Sequence, residues 1–176
     1  DGRLLGTTRM LHIAQMPRFF EQDYYTPGDH GMPVYETAAG RVGVAICYDR
    51  HYPEVMRSLA LQRADLVVVP QAGMVGEWPD GLYEAELRVA AFQNGYFTAL
   101  ANRVGAEPHI EFAGESFVCD PAGRVIARAE ASKEAILYAD LDYAATSASP
   151  ARRLFLRDRR PEIVRDLLGP GASRRI

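Results

Sequence analysis

The fold of this chain is decided by residues 41–70, which read RVGVAICYDRHYPEVMRSLALQRADLVVVP. Two short apolar runs, Val42–Cys47 and Leu66–Val69, are typical of strands buried on both faces of a parallel sheet. Between them, Pro53 and Glu54 suit the first turn of a helix, because proline needs no N–H partner there and a carboxylate faces the positive end of the helix dipole. Apolar residues then recur at helical spacing, at Val55, Met56, Leu59 and Ala60. This order predicts a right-handed parallel βαβ unit.

The chain downstream continues the alternation of helices and strands. Gly95 is placed to end a helix, and the sequence of residues 120–123, Asp-Pro-Ala-Gly, is typical of a type I turn within an antiparallel hairpin. The predicted elements are helices over 81–94 and 161–168 and strands over 96–101, 116–119, 124–129 and 136–139. Together with the βαβ unit, they predict an α/β fold with a mixed sheet.

Length and composition are those of a single globular domain. The chain has 176 residues, of which 48% are apolar and 24% are charged, the balance of one globular domain. It has no run of roughly 18 apolar residues that would span a membrane, and residues 1–6 lack the apolar core of a signal peptide. Cys47 and Cys119 form no CxxC pair and have no adjacent histidine, which argues against a disulfide scaffold or a zinc site. We expect a reducing, cytoplasmic location.

Charge is unevenly distributed along the chain. The net charge of −3 is too small to indicate a polyanion or a membrane as partner. Residues 150–176 hold eight arginines against three acidic residues, a net of +5, which leaves −8 on the rest. This tail either contacts nucleic acid or folds back onto an acidic body or an acidic neighbouring copy. The second interpretation is favoured, because acidic and apolar residues are interleaved with the arginines, so no nucleic-acid or membrane partner is predicted.

Cys47 is the residue best suited to carry chemistry. It ends a predicted strand and precedes a predicted helix, so its side chain would lie at the carboxyl edge of the sheet, where α/β proteins keep their sites. A helix N-terminus favours the thiolate, which is the nucleophile. The alternative is inert packing, because free cysteine is among the most buried residue types. For Cys119, inert packing is the only interpretation, so we predict that Cys47 is the reactive thiol.

Residues 40–54, GRVGVAICYDRHYPE, resemble the cysteine signature of the nitrilase (carbon–nitrogen hydrolase) superfamily. Further family landmarks are matched in the same order by residues 20–29, 64–70, 101–105, 114–117 with 120–121, and 157–161. The resemblance is strongest to the N-carbamoyl amide hydrolases and covers the C-terminal portion of the family's length. It implies a partial four-layer α-β-β-α sandwich, with residues 1–149 as the hydrolase domain. Residues 150–176 would be a tail of that domain that contacts a second copy, so a homo-oligomer is expected.

The resemblance also implies a reaction. Members of the family use a glutamate, a lysine and a cysteine, often with a second glutamate; the cysteine attacks an amide or nitrile carbon, and water hydrolyses the thioester without a metal or cofactor. Cys47 matches the nucleophile, Glu21 the second glutamate, and the backbone N–H of Tyr48 the oxyanion donor. The family's first glutamate falls in a region with no counterpart in this sequence. Glu21 is otherwise a surface carboxylate.

Arg50 and His51 follow the nucleophile and are predicted to bind substrate. Family members that act on N-carbamoyl amino acids carry a similar arginine, and a guanidinium can clamp a carboxylate through two parallel hydrogen bonds. The resemblance therefore implies an anionic small-molecule amide as substrate. The alternative is that Arg50 pairs with Asp49 or Glu54 and is structural.

Met10 occupies the position of the family's lysine. Family members carry Arg-Lys-x-His where residues 9–12 of this chain read Arg-Met-Leu-His. Lys133, the single lysine, lies in a polar turn beyond Cys47 and is no substitute. Arg9 would need a bulge to reach the thiolate, because neighbouring residues of a strand point to opposite faces. His12 is either catalytic or a local hydrogen-bonding residue.

Two functions from different classes follow. The first is a cysteine-dependent amidohydrolase that acts on an N-carbamoyl amino acid or a related linear amide. The second is a non-catalytic relative, or an inactive fragment, that keeps the fold and the cysteine as a binding or assembly module. A nucleotide-binding domain is disfavoured, because neither a GxGxxG nor a GxxxxGK[ST] loop is present.

Overall fold

The computed structural model describes residues 2–167, which form the predicted α/β fold. The described strands are β1 Gln15–Met16, β2 Phe19–Phe20, β3 Val34–Thr37, β4 Gly40–Val44, β5 Leu66–Gln71, β6 Phe97–Asn102, β7 Val104–Glu107, β8 Ile110–Ala113, β9 Phe117–Cys119 and β10 Val125–Arg128. The described α-helices are α1 Pro53–Leu61, α2 Leu82–Asn94, α3 Ala144–Ala148 and α4 Pro161–Leu167. Two 3₁₀ turns, Glu21–Asp23 and Cys47–His51, and a π-helical turn, Ala151–Phe155, complete the list.

Six strands form one mixed sheet in the order β10-β9-β6-β5-β4-β3. β4, β5 and β6 run parallel, which confirms the predicted βαβ unit with α1 as its crossover, and the other three strands run antiparallel to their neighbours. The strand pairs β1-β2 and β7-β8 are separate from this sheet. Since the carboxyl ends of parallel strands meet at one edge, Cys47 after β4 comes close to Gln71 at the end of β5.

Helices α1 and α2 share one core with β5. Its buried side chains include Val55, Met56, Leu59, Ala60, Val67, Val69, Leu87 and Ala91. Full burial of a leucine contributes about 2 kcal/mol, so Leu59 and Leu87 do much to hold the helices on the sheet. Gly43 in β4 permits the close approach of α1, because a Cβ atom at that position would lie 2.9 Å from Leu59 Cδ2. One helical layer and one sheet correspond to two of the four layers expected of the sandwich.

The predicted strand over 136–139 is wrong. This segment pairs with no strand among the described residues, and Ile136 and Tyr138 are 79% and 83% exposed. Among the described strands, the sheet ends at β10, which pairs with β9 alone. An apolar pattern predicts strand conformation, but a ladder also needs a partner edge, which the pattern does not supply.

The first part of the arginine-rich tail packs on the body of the molecule. The Arg152 guanidinium donates to the carbonyl oxygens of Ala64, at 2.6 Å, and Gly95, at 3.3 Å, and Phe155 lies edge-on to Phe92 of α2. Folding back is thus observed for this part. The predicted helix over 161–168 is present as α4, while residues 168–176 lie outside the described residues. None of the described helices is long and apolar enough to cross a membrane.

Candidate active site

Cys47 lies at a sharp turn at the carboxyl edge of the sheet. After β4, the N–H of Ala45 still bonds to the carbonyl of Val68 at 3.0 Å, and Cys47 then begins a 3₁₀ turn with a φ of 49°. This left-handed conformation is uncommon for a residue other than glycine and is found at functional sites. The turn presents the cysteine side chain at the sheet edge, as predicted, although α1 begins only at Pro53.

The Cys47 side chain borders a cavity of about 640 Å³. Glu21, Met10 and Arg9 line the same cavity, together with Gln71 from the end of β5. The structure therefore brings together the residues that match the family's nucleophile, second glutamate and lysine positions. This arrangement is the candidate active site.

Burial raises the pKa of the Cys47 thiol above its ordinary value, and the negative charges of Glu21 and Glu77 act in the same direction. A backbone hydrogen bond from Ala72 and the charge of Arg50 oppose the shift without cancelling it. Desolvation by the surrounding protein thus opposes the thiolate that a helix N-terminus would favour. The resting side chain is a thiol, and a nucleophilic attack needs a base to remove its proton.

Glu21 begins a 3₁₀ turn directly after β2 and is held in place by the backbone. Its Oε2 accepts the N–H of Ala14 at 3.3 Å, and its own carbonyl accepts the N–H groups of Tyr24 and Tyr25. Its carboxylate is partly buried and lines the cavity of Cys47. The alternative of a surface carboxylate is thus not what the structure shows.

The segment that carries Met10 is anchored by Asp49. The Asp49 carboxylate is fully buried and accepts the N–H groups of Leu11, at 3.1 Å, and His12, at 2.9 Å, as well as His12 Nδ1 at 2.9 Å. The His12 ring also stacks on Tyr52. His12 therefore has the local hydrogen-bonding role, and it helps to hold residues 9–11 against the cavity.

Arg9 lines the cavity together with its neighbour Met10, without the bulge that a strand would require. Residues 9 and 10 form no strand, and the alternation of faces that a strand imposes does not apply to them. The Arg9 side chain is 61% exposed, and its Nη1 pairs with Asp29 Oδ1 at 3.1 Å.

Arg50 and His51 lie behind Cys47, away from the larger cavity. Arg50 Nη1 donates to the Cys47 carbonyl at 3.0 Å, its Nε donates to Glu86 at 3.3 Å, and its guanidinium covers the Tyr83 ring. His51 Nδ1 lies 2.6 Å from Glu86 Oε1. Neither residue lines the 640 Å³ cavity, so the geometry does not support the predicted clamp on a substrate carboxylate. The structural alternative holds in part, since Arg50 pairs with Glu86 rather than with Asp49 or Glu54.

Tyr48 directly follows Cys47 in the 3₁₀ turn. The first N–H groups of a helical turn have no hydrogen-bond partner within the turn, so they can donate hydrogen bonds to an anion. The Tyr48 ring packs edge-on against His51 and Tyr52. This position is compatible with the predicted role of its backbone N–H, which stays a prediction.

Glu77 and Glu86 were not identified from the sequence. Glu77 accepts the N–H of Met74 at 3.0 Å and the Tyr83 hydroxyl, which brings its charge near Cys47. Glu86 lies on α2, far from the cysteine in sequence. The fold brings it into hydrogen-bond contact with Arg50 and His51 of the Cys47–His51 turn. Neither carboxylate belongs to a recognised motif in the sequence, and no spacing rule connects them to the cysteine.

Comparisons with known proteins agree with this geometry. A family model described as carbon-nitrogen hydrolase matches residues 1–151. N-carbamoylputrescine amidase of Arabidopsis thaliana is 33% identical over 183 residues, which cover 96% of this chain and 60% of the relative. The crystal structure of a carbon-nitrogen hydrolase from Helicobacter pylori G27 is similar with a TM-score of 0.87 and 37% identity, covering 97% of this chain and 63% of that one.

A further solved structure bears on the cysteine. It is a mutant amidase from Nesterenkonia sp. AN1 in which acrylamide has added to the active-site cysteine; its TM-score is 0.76 with 29% identity, and 90% of this chain and 56% of that one are covered. The chain spans about 60% of the length of the curated relative described above. By the match of its sequence and of its fold, the chain belongs to the carbon–nitrogen hydrolase family.

Proposed function

We propose that the protein is a cysteine-dependent amidohydrolase that cleaves a non-peptide C–N bond through a thioester. Its substrate would be an N-carbamoyl amino acid or a related linear amide. The observation that carries this proposal is the shared cavity of about 640 Å³, which brings Cys47 and Glu21 together at the carboxyl edge of the sheet. Family membership and the amidase names of relatives support the reaction class.

The proposal gives each side chain a role. Glu21 accepts the proton of the Cys47 thiol, since burial keeps that thiol protonated, and the sulfur attacks the amide carbon. The Tyr48 N–H stabilises the oxyanion, and Arg9 is the only cation among the described residues that line the cavity. Glu21 then returns the proton to the leaving nitrogen.

The substrate's charge is a separate question. Arg50 is buried behind the cysteine, so a substrate carboxylate would instead meet Arg9, whereas a substrate ammonium group would meet Glu21. The carbamoyl group is the part that both kinds of substrate share. We therefore propose the N-carbamoyl compounds as a class, with the anionic members as the first choice.

The test is ammonia release by the 176-residue chain from N-carbamoyl-β-alanine and from N-carbamoylputrescine, with Cys47→Ala as the control. Release that depends on Cys47, with a covalent adduct on Cys47 in intact-mass spectra, supports the proposal. Preference for N-carbamoylputrescine would overturn the anionic choice. If neither compound is cleaved and no adduct forms, the amidohydrolase function of this chain is wrong.

A non-catalytic relative is the second candidate, and Met10 is the observation that favours it. Methionine at this position gives the oxyanion no charge, and a missing oxyanion donor lowers kcat by about 10²–10³-fold. A chain that binds N-carbamoyl compounds without releasing ammonia or forming an adduct would identify the binding module.

A further inference from the structure

The large cavity beside Cys47 has a wall that is mostly apolar. Its polar lining residues are Glu21, Thr26, Gln71 and the cysteine itself, together with Arg9, whose side chain is 61% exposed and therefore lies at the rim. The rest of the lining is chiefly aliphatic or aromatic, and it includes Met10, Ile13, Phe19, Tyr25, Ile46 and Pro70. A ligand in this cavity thus meets more apolar than polar side chains.

The cavity is large for the reacting group alone. Its volume of about 640 Å³ lies in the range that encloses a drug-sized ligand. Water takes about 30 Å³ per molecule, so a carbamoyl group at the sulfur fills only a small part of the space. A ligand gains affinity from the remainder by removing apolar surface from water. A substrate without an apolar group leaves that surface wet.

Phe19 connects the apolar wall to the nucleophile. Its side chain lines the large cavity and also a small one of about 10 Å³, and Cys47 and Glu21 line both as well. Phe20, the next residue of β2, lines a different groove, between the β1-β2 turn and the β7-β8 turn. The two neighbours face opposite ways because side chains alternate along a strand. The chain therefore holds one phenylalanine inside the site and a matched one outside it.

We propose that the substrate carries an apolar side chain of leucine size or larger beside its carbamoyl group, as N-carbamoylleucine and N-carbamoylphenylalanine do, and that Phe19 selects for it. This inference rests on the proposed function. With the carbamoyl carbon at Cys47, the apolar side chain covers Phe19 and its neighbours on the wall, and the carboxylate is left for Arg9 at the rim. N-carbamoyl-β-alanine has no side chain and N-carbamoylputrescine ends in an ammonium group, so neither covers the wall.

Binding is measured without turnover in Cys47→Ala, by isothermal titration calorimetry. The ligands are the N-carbamoyl derivatives of alanine, leucine and phenylalanine, with N-carbamoyl-β-alanine for comparison. A single methylene group in an apolar pocket is worth about 10–200-fold, so Kd should fall by about 10-fold or more from the alanine to the phenylalanine compound. Equal Kd values, tighter binding of N-carbamoyl-β-alanine, or binding of none of these compounds would each overturn the proposal.

Two further substitutions in the Cys47→Ala chain test the role of Phe19. Phe19→Ala should raise Kd for the phenylalanine compound by about 10-fold or more and leave Kd for the alanine compound nearly unchanged, whereas Phe20→Ala should change neither. Circular dichroism shows whether each variant folds. If Phe19→Ala does not, Tyr25→Ala replaces it with the same expectation, since Tyr25 lines the same cavity and is 57% exposed. A loss that is equal for both compounds, or that Phe20→Ala reproduces, contradicts the selection by this wall.

Ammonia release by the chain with Cys47 intact separates this inference from the proposed function. A chain that hydrolyses N-carbamoyl-β-alanine but binds the phenylalanine compound no more tightly keeps the function and loses the apolar substrate. A chain that prefers the phenylalanine compound in binding but releases ammonia from no N-carbamoyl compound loses the function and keeps the ligand class.

Discussion

At the scale of single residues, the environment of Cys47 makes its side chain accessible from the cavity but disfavours the reactive thiolate form. The left-handed turn exposes the sulfur to the cavity, while burial and the nearby carboxylates of Glu21 and Glu77 keep it protonated. Cys119 is also a thiol whose pKa is raised by burial, but its side chain lies fully buried in the core, on β9. The two thiols therefore differ in access, since Cys47 borders the cavity and Cys119 is buried.

This difference predicts selective alkylation. Under brief treatment of the folded chain with iodoacetamide, Cys47 should be labelled and Cys119 should not. Because the pKa of Cys47 is raised, the labelling rate should climb about tenfold per pH unit up to the ordinary cysteine pKa near 8.5 and level off only above it. Peptide mapping by mass spectrometry measures both sites, with urea-unfolded protein as control. Equal labelling, or a plateau below pH 8, would contradict the assignment.

Met10 supports a second prediction at this scale. In Met10→Lys, an ammonium group beside the sulfur would stabilise both the thiolate and the oxyanion, so labelling of Cys47 should level off at a lower pH and amide hydrolysis should rise. A fixed donor of this kind is worth about 3 kcal/mol, or about 10²-fold in kcat. Met10→Leu, which adds no charge, is the matched control. If Met10→Lys changes neither rate and Arg9→Ala abolishes hydrolysis, Arg9 has the role of the family's lysine.

At the scale of elements, what could be predicted depended on how far apart the partners lie in sequence. The βαβ unit could be found because its strands, helix and turn residues each leave a local pattern. The Arg50–Glu86 pair joins residues 36 positions apart, and no local pattern reports it, so Arg50 was assigned to the substrate. Cys47 and Glu21 could be identified because they lie in motifs that match the family in the same order. Glu77 and Glu86 lie in no such motif, and their proximity to the site is visible only in the structure.

The contact between α1 and β4 gives a prediction at this scale. Gly43→Ala would place a methyl group 2.9 Å from Leu59 Cδ2, and overpacking of this kind lowers the free energy of unfolding by about 1–3 kcal/mol. Urea unfolding measures the loss. In a Leu59→Ala background the methyl group has room, so the same change at Gly43 should be nearly neutral. A full loss in both backgrounds would show that the strain lies in the backbone of β4.

At the scale of the whole molecule, the described surface includes exposed apolar side chains on the segment that follows β10, the last strand of the sheet. Ile136 and Tyr138 lie on the segment after β10, and both side chains are largely exposed. Sheet edges and exposed apolar side chains are both common sites of association between chains. We propose that the chain associates with copies of itself through this region, in addition to any contact made by residues 150–176.

Sedimentation velocity of the purified chain should therefore show dimers or larger species at micromolar concentration. Ile136→Lys combined with Tyr138→Lys places two like charges on the segment, which should shift the population toward monomer, because each copy would bring charge into an apolar contact. Glu134→Lys, at an exposed position of the same segment, changes charge without removing an apolar side chain and should leave the distribution unchanged. A monomer at every concentration would exclude self-association, and dimers that survive the double substitution would assign it to another surface, with the arginine-rich tail as the next segment to test.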